Sequence, residues 1–297
     1  MTRGKSIDLG FKILTGFCCI IIVGIIFIIM TNIIMGGYSI MSWEFISQAP
    51  RKGMTEGGIF PAIFGTFALV IIMSIVVMPV GVITAIFMNE YATGFPRLVG
   101  IIRTAVNNLA GVPSIVFGLF GLGFFVQFLG RGADRMLGYE LKWNQPCLLW
   151  ASMTMALLTL PVVIVATEEA IRAIPKEHKE GSLALGSTKL QMIRRIILPQ
   201  ALPGILTGAI LSVNRGTGEV APILFTGAAY FLPRLPTSLS DQFMQLGYHV
   251  YIMSTQSVNV DATLPIQYAT TLVLLLLTFA LNFGAIFLRA RIRRKMK

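Results

Sequence analysis

The residues best suited to chemistry in this chain are an arginine and a glutamate that interrupt an otherwise apolar stretch. Arg215 and Glu219 stand four residues apart in the run Arg-Gly-Thr-Gly-Glu, between apolar segments. A lone arginine inside a bilayer costs roughly 2.5 to 3.5 kcal/mol on insertion scales, so its side chain is expected to face a helix bundle and to have a partner. Glu219 is about one helical turn further on and is predicted to lie on the same helix face.

Two interpretations of this pair stay open. In the first, Arg215 and Glu219 neutralise each other and have only a structural role. In the second, the planar guanidinium group of Arg215 binds a tetrahedral oxyanion, because it offers parallel N–H donors. Gly216 and Gly218 would then allow the helix to unwind locally and to expose backbone N–H groups to the anion.

A second group of residues is suited to docking onto another protein. The segment from Lys176 to Arg195 mixes Lys, Glu and Arg with apolar residues, which predicts short amphipathic helices joined near Gly186. Within it, Glu-Gly-Ser-Leu-Ala-Leu-Gly at 180–186 is followed after nine residues by Ile-Ile-Leu-Pro at 196–199. Such a helical hairpin can insert into a groove on a partner; alternatively, it covers the mouth of the chain's own bundle.

Membrane-spanning helices must position both groups. Hydrophobic residues make up 55% of the chain and charged residues only 12%, against about 25% charged residues in a soluble domain. Apolar runs of the length needed to cross a bilayer predict an all-α membrane protein with six spans in one domain, residues 1–297. The expected spans are 13–36, 61–88, 106–130, 146–168, 200–228 and 264–288, with a cytoplasmic coupling loop at 170–199.

Most of the 24 Lys and Arg residues lie on one side of this predicted bundle, in the two termini and in the loops after the second and fourth spans. Because cytoplasmic loops carry an excess of basic residues, both chain ends are predicted to be cytoplasmic. The same distribution accounts for the net charge of +11 without nucleic acid, since a basic tail directly after a span is typical of a topology anchor.

Several function classes are disfavoured by the residues that chemistry would need. Cys18, Cys19 and Cys147 lie in or beside apolar spans without metal-ligand spacing, and His178 and His249 belong to separate loops. Neither a metal site nor a histidine-based catalytic triad is expected. The sequence has no Gly-x-x-x-x-Gly-Lys-Ser/Thr loop, so any ATP and Mg must be bound by a partner ATPase. The chain is therefore expected to be no enzyme and to bind no cofactor itself.

The spacing Glu-x-x-x-x-x-Gly-x9-Ile-x-Leu-Pro from Glu180 to Pro199 resembles the coupling loop of permease subunits in binding-protein-dependent ABC importers. That family usually has two alanines after the glutamate, where this chain has the small residues Gly181 and Ser182. The run Arg-Gly-Thr-Gly-Glu-Val-Ala-Pro-Ile-Leu-Phe-Thr at 215–226 is similar to one in the PstA family of phosphate permease subunits. Shorter runs resemble the same family at 89–91, 112–119 and 160–168.

This resemblance implies a type I ABC importer permease domain for inorganic phosphate, in a bacterial or archaeal plasma (inner) membrane. It implies three partners: a PstC-like second permease, a PstB-like ATPase dimer and a PstS-like extracytoplasmic phosphate-binding protein. The coupling residues would be Glu180, Gly181, Ser182, Leu185, Gly186, Ile196, Leu198 and Pro199. The substrate pathway would contain Arg215, Glu219, Glu168, Thr217 and Ser114.

Some pathway residues have alternatives. Glu168, at the cytoplasmic end of the fourth span, is expected to pair with Arg215 or with an arginine of the second permease. Ser114, together with Asn107 and Asn108, either lines the pathway or caps and cross-links helices. If Glu219 accepts a proton from the substrate, partly protonated phosphate is favoured over fully ionised sulfate.

Other functions fit the sequence less well. A permease for another oxyanion, such as sulfate or molybdate, or for a polar solute would use the same frame. A cation-coupled secondary carrier would need no segment for docking a motor and would often show an internal repeat, which the sequence does not show. A membrane-embedded enzyme would need a cluster of catalytic groups, and only Arg215 and Glu219 lie firmly inside a predicted span.

Overall fold

A computed structural model describes residues 2–257 and 260–295 of the chain. In chain order its helices are α1 (Thr2–Gly37), α2 (Trp43–Ser47), α3 (Phe60–Tyr91), α4 (Pro96–Ala110), α5 (Ser114–Leu137), α6 (Leu148–Arg172), α7 (Lys176–Ala184), α8 (Lys189–Gly218), α9 (Leu246–Thr255) and α10 (Val260–Lys295). Among the described residues, α1, α3, α5, α6, α8 and α10 are long and apolar enough to cross a bilayer. The prediction of six spans is confirmed.

The chain crosses the bundle back and forth, so its connections fall on two sides. We call the side that carries α4 and α7 the basic side and the opposite side, which carries α2 and α9, the far side. On the far side, strand β1 (Pro50–Arg51) pairs antiparallel with β2 (Glu56–Gly57). Ser42 caps α2 by accepting a hydrogen bond from the Phe45 amide, 3.1 Å away.

The third spanning helix begins later than the sequence predicted. Residues 106–110, expected inside the span, belong to the separate helix α4, and α5 begins only at Ser114. The break falls at Gly111-Val112-Pro113, because proline disfavours a helical conformation at the residue before it and removes a backbone donor. Helix α4 has apolar and polar faces and contains no buried residue, so it lies on the basic side of the bundle rather than in its core.

The fifth spanning helix is shifted toward the basic side. It begins at Lys189 and ends at Gly218, so the expected span of 200–228 is wrong at both ends. Glu219 already has an extended backbone, with ψ at 133°. A glycine at the end of the helix and Pro222 shortly beyond it agree with this stop, since proline cannot continue a helix.

Helices α3, α6 and α8 form the centre of the bundle. A buried apolar cluster that includes Leu69, Met73 and Met155 lies between α3 and α6. Small residues let the two helices approach closely: a Cβ atom on Gly81 would lie 2.6 Å from Cγ1 of Val163. Membrane helices pack in this manner because lipid provides no hydrophobic drive for association, so close van der Waals contact must do so.

Residues 219–245, which we call the return segment, lead from the end of α8 to α9 without a regular helix. The segment lies on glycines of the spanning helices. A Cβ atom would be 2.9 Å from the Ala221 carbonyl oxygen if added to Gly118, and 2.1 Å from the Met244 carbonyl oxygen if added to Gly65. Irregular backbone at membrane depth must be shielded by protein, and the glycines of α5 and α3 provide that shield.

Candidate functional site

The Arg215–Glu219 pair lies where the fifth spanning helix gives way to the return segment. Arg215 occupies the last turn of α8, and its Nε atom is 3.6 Å from Oε1 of Glu219. The two side chains are 30% and 27% exposed. The predicted pairing is present, but the prediction of a shared helix face is wrong, because Glu219 stands beyond the helix end. At 3.6 Å the pair is longer than a direct N–H···O hydrogen bond, so the two groups are held loosely.

The two glycines of this run have different surroundings. Gly216 is buried, and a Cβ atom on it would lie 2.6 Å from Sδ of Met73, so this glycine allows α8 to pack on α3. Gly218 has open space where a Cβ atom would stand. Just beyond it, the amides of Val220 and Ala221 donate to no acceptor in the described part of the chain. Free N–H donors therefore follow the Arg215–Glu219 pair in the sequence.

Thr217 is fully buried, and its hydroxyl donates to the carbonyl oxygen of Val213, 2.7 Å away. Its own carbonyl accepts a hydrogen bond from Nε2 of Gln245, 3.1 Å away. Gln245 Oε1 in turn accepts from the Tyr248 amide and so caps α9. Thr217 thus fastens the end of the return segment to the end of α8, and its hydroxyl is already paired within the helix.

Glu168 is buried near the basic end of α6, where its Oε1 atom accepts from two arginines of the same chain. Arg103 of α4 donates through Nη2 at 2.5 Å, and Arg172 donates from one turn further along α6. The expected pairing of Glu168 with Arg215 is wrong. Met155 is the α6 residue nearest to Gly216, and Glu168 is thirteen residues further on, which places it about 20 Å further along the helix axis.

Ser114 is the first residue of α5, directly after Pro113, and it is partly buried. One turn further along, Gly118 faces the carbonyl oxygens of Ala221 and Pro222 in the return segment. Ser114 therefore lies next to the return segment, toward the basic side of the bundle. Asn107 and Asn108 are exposed on α4, away from the core.

The residues predicted to couple to an ATPase form a helical hairpin on the basic side, and this shape agrees with their pattern. Helix α7 is followed by a turn in which Gly186 has φ at +83°, a conformation that glycine adopts without strain. Thr188 and Gln191 then form a capping box that starts α8. Leu185, at the tip of the hairpin, is 91% exposed. Glu180, Gly181 and Gly186 are exposed as well, and Ser182 is partly buried.

The second half of the motif differs from the expected loop. Ile196, Leu198 and Pro199 are partly buried and belong to the continuous helix α8, in which residues 193–197 form a π-helical turn. The hairpin encloses a groove of about 570 Å³ lined by residues of both arms, including Glu177, Ser182, Leu185, Arg195 and Ile196. The second arm of the hairpin is thus continuous with the fifth spanning helix.

Sequence reasoning missed Arg103 as a partner of Glu168. Arg103 is 65 residues away and lies on α4, a helix that was predicted as a loop except for residues 106–110. A usable sign was present: a charged residue within a stretch of helical amphipathic pattern indicates a surface helix rather than a span.

The class of this protein follows from its family model, with which the six-span fold agrees: it is a multi-pass permease subunit of an ABC importer in the inner membrane, rather than a catalytic enzyme. The chain belongs to the family of binding-protein-dependent transport system inner membrane components, whose model matches residues 78–297.

Relatives agree with this assignment, and a solved structure shares the fold. The chain is 32% identical to a probable ABC transporter permease protein, YqgI, of Bacillus subtilis, over 95% of its own length and 94% of the relative's. It is 33% identical to the phosphate transport system permease protein PstA of Mycobacterium leprae, over 69% of its own length and 64% of the relative's. In fold it is similar to a chain of a bacterial alginate ABC transporter, with a TM-score of 0.67 over 97% of both chains at 18% identity.

Proposed function

We propose that this chain is a permease subunit of an ATP-driven importer of inorganic phosphate, with Arg215 in the substrate pathway. The observation that supports this proposal is the loose, partly exposed Arg215–Glu219 pair, 3.6 Å apart, at the end of the fifth spanning helix. A guanidinium group held in this way retains free N–H donors for a tetrahedral oxyanion, and the unpaired amides of Val220 and Ala221 supply further donors. The likeness to relatives named as phosphate permeases favours phosphate among the oxyanions.

A substrate pathway along Arg215 must be enclosed by another subunit, because the Arg215–Glu219 pair lies at the surface of this chain. In our proposal a PstC-like permease encloses the other side of the pathway. A PstS-like binding protein delivers phosphate on the far side, which is extracytoplasmic. Thr217 positions the end of α8, and Ser114 lines the route beside the return segment. Glu168, with Arg103 and Arg172, stands at the cytoplasmic exit, where two guanidinium groups share one carboxylate and leave a net positive charge.

The basic side is cytoplasmic in this proposal, and a PstB-like ATPase dimer, which binds ATP and Mg, docks on the hairpin. The exposed Leu185 enters a groove of the ATPase, flanked by Glu180, Gly181, Ser182 and Gly186. Ile196, Leu198 and Pro199 make the hairpin continuous with α8, so that a movement of the hairpin becomes a rigid-body movement of the fifth spanning helix.

The test is uptake of radiolabelled phosphate by cells that express the complete transporter, with Arg215→Ala compared to the native chain at equal membrane levels. We expect uptake to fall by about tenfold or more, because a hydrogen bond to a charged group contributes roughly 1.5 to 3 kcal/mol. Arg291→Ala is the matched control, since Arg291 is exposed at the end of α10 and lies outside the pathway.

Unlabelled sulfate added as a competitor separates the oxyanions. Native uptake should ignore sulfate, and Glu219→Gln should lose that discrimination if Glu219 accepts the substrate proton. Normal phosphate uptake by Arg215→Ala would show that Arg215 has only a structural role. A native transporter that moves no phosphate would leave the ABC permease class intact and would transfer the assignment to another oxyanion or a polar solute.

A further inference from the structure

Three consecutive residues at the basic end of α3 each contact a cation from the region around the coupling hairpin. Oδ1 of Asn89 is 3.4 Å from Nε of Arg172, at the end of α6. Oε1 of Glu90 is 2.6 Å from Nζ of Lys179, in α7. Nζ of Lys189, the first residue of α8, lies 5.0 Å from the centre of the Tyr91 ring. The run 89–91 therefore connects α3 to three other helices.

The local backbone explains how neighbouring residues reach different helices. Residues 87–91 form a π-helical turn at the end of α3, a rare conformation that is frequent at functional positions. Successive side chains point about 100° apart in an α-helix and somewhat less in a π-helical turn, so three in a row span roughly half of the helix circumference. Each of them therefore faces a different neighbour.

The contact of Glu90 with Lys179 is the strongest of the three. The Glu90 side chain is 8% exposed and that of Lys179 is 21% exposed, so water screens this ion pair little. A carboxylate buried to this degree needs a charged or hydrogen-bonding partner, and Lys179 supplies one.

The position of α7 depends on such polar contacts. Helix α7 contains no buried residue, so no apolar side chain anchors it. Its other polar contacts, Ser182 with Ser187 and His178 with Gln200, join it to the turn and to α8 within the hairpin. Glu90 is the residue that ties α7 to α3.

An apolar cluster lies beneath these contacts. It joins the ends of α3 and α6 to the start of α8 through buried residues: Ala85, Ile171, Ile174, Met192, Ile193, Ile197, Ala201 and Ile205. This cluster holds three spanning helices together at the basic side, but it does not reach α7, where the docking residues lie. The ion pair of Glu90 completes the connection.

We propose that Glu90 is a positioning residue for coupling, which transmits displacement of the hairpin to α3 through Lys179. With Glu90 in place, α3, α6 and α8 move as one body when the partner ATPase moves α7. Without it, the hairpin and α8 move without α3, and less of the ATP hydrolysis is converted into transport. This inference rests on the proposed function only in assuming that a partner ATPase acts on the hairpin.

The experiment uses the complete transporter reconstituted in lipid vesicles, with ATP hydrolysis and phosphate transport measured on the same preparation. For Glu90→Gln we expect hydrolysis to be kept and phosphate moved per ATP to fall by about tenfold, because the charge-assisted contact is lost. In Lys179→Glu the phosphate moved per ATP should fall by the same factor. The exchanged pair, Glu90→Lys with Lys179→Glu, should recover most of the native ratio. The matched control is Glu56→Gln, which removes the exposed Lys52–Glu56 ion pair on the far side and should change nothing.

A second readout does not depend on phosphate. Hydrogen–deuterium exchange is compared with and without ATP and vanadate, which trap the ATPase in one state. In the native transporter, peptides covering 85–95 and 176–199 should change protection together; in Glu90→Gln, only 176–199 should change. If Glu90→Gln fails to assemble, Lys179→Gln breaks the same pair from its more exposed side.

Three results would overturn the proposal. In Glu90→Gln, the two peptides could still change protection together, or the phosphate moved per ATP could equal that of the native transporter. The exchanged pair could also move no more phosphate per ATP than the single variants. A native transporter that hydrolyses ATP and moves no phosphate would refute the proposed substrate instead. In that case the exchange measurement still decides the role of Glu90.

Discussion

At the scale of single residues, two carboxylate–guanidinium contacts suit opposite tasks. Glu168 is buried and accepts from both Arg103 and Arg172, so separating it from both would leave a buried carboxylate without a partner. Glu219 is 27% exposed and lies 3.6 Å from Arg215, too far for a direct hydrogen bond, so less is lost when this pair separates. The contacts of Glu168 are suited to holding α4 on α6. The Arg215–Glu219 pair is suited to separating when an anion binds, as we propose.

His249 is a buried residue outside the membrane-spanning helices. It lies in α9 on the far side and is 2% exposed. Burial lowers the pKa of His249 to about 4, from an ordinary value of 6.5, because the imidazolium form loses its hydration. Its Nδ1 atom has no hydrogen-bond partner among the described residues. The folded state therefore holds His249 as a neutral imidazole at physiological pH.

This burial predicts a pH dependence of stability. Above pH 6.5 His249 is neutral in both states and contributes no pH dependence. As the pH falls below 6.5 the unfolded state takes up a proton that the folded state refuses, so the free energy of unfolding falls by about 1.4 kcal/mol per pH unit until the pH nears 4. Unfolding midpoints of the purified transporter in detergent, measured from pH 7.5 to 5, should follow this fall.

His249→Gln is the variant that isolates this contribution. Glutamine does not titrate, so the variant should lose most of the slope between pH 6.5 and 5, while any slope from other groups is retained. His178→Gln is the control, since His178 is exposed on α7. An unchanged slope in His249→Gln would show that His249 is protonated as readily in the folded state as in the unfolded one.

At the scale of elements, the return segment depends on close contact with spanning helices. Leu246, where α9 begins, donates its amide to Thr66 Oγ1 of α3 at 2.9 Å, next to the Gly65 contact with Met244. Both the glycine and the threonine are buried within α3. The return segment is therefore seated on α3 by one hydrogen bond and one close backbone approach.

Gly65→Ala is predicted to lower the stability of the transporter. The added Cβ atom would stand 2.1 Å from the Met244 carbonyl oxygen, and a backbone atom cannot move aside alone. Overpacking costs typically 1 to 3 kcal/mol, which exceeds the roughly 0.5 to 1 kcal/mol that alanine gains over glycine within a helix. The measurement is the thermal unfolding midpoint in detergent, which should fall by several degrees.

Gly24→Ala in α1 is the matched control, because no atom lies within 4 Å of a Cβ added there. Its midpoint should stay level or rise slightly. Equal midpoints for the two variants would mean that the return segment adapts to the added methyl group, and that its position on α3 is not fixed by Gly65.

The elements also show what the sequence can predict. The number of spans followed from hydropathy, since charge-free runs of sufficient length have few alternatives in a bilayer. The ends of the helices did not. Residues 106–110 carry no charge and were joined to the third span, although Gly111 and Pro113 mark a break; the fifth helix was extended through the apolar residues 220–225, although Gly218 ends it.

The candidate site was predictable only where it is local. Arg215 and Glu219 are four residues apart, and the hairpin from Lys176 to Pro199 is contiguous, so spacing was informative for both. The contacts Arg103–Glu168 and Glu90–Lys179 join residues 65 and 89 positions apart. Such contacts depend on how helices pack against each other, which helical periodicity does not specify. The likeness of residues 89–91 to a family does not indicate which residues they contact.

At the scale of the whole molecule, burial differs between central and peripheral helices, whereas charge differs between the two ends of the bundle. In its most apolar window α6 is 67% buried, whereas α1 is 0% and α10 is 6% buried, so α6 is central and the first and last helices are peripheral. Across the bundle, the basic residues concentrate on the side with α4 and α7. The low burial of α1 and α10 leaves apolar faces that suit lipid, and the distribution of basic residues predicts the orientation in the membrane.

Labelling of single cysteines tests that orientation. The chain first has Cys18, Cys19 and Cys147 replaced by alanine, and Glu56→Cys or Glu177→Cys is then introduced at an exposed position on the far side or on α7. A membrane-impermeant maleimide should label Glu56→Cys in intact spheroplasts, and Glu177→Cys only after permeabilisation, because the excess of basic residues keeps the α7 side in the cytoplasm. The chain without cysteines gives the background. Labelling in the reverse pattern would place the hairpin outside the cell, where no ATP-driven partner could reach it, and would refute the docking proposal together with the orientation.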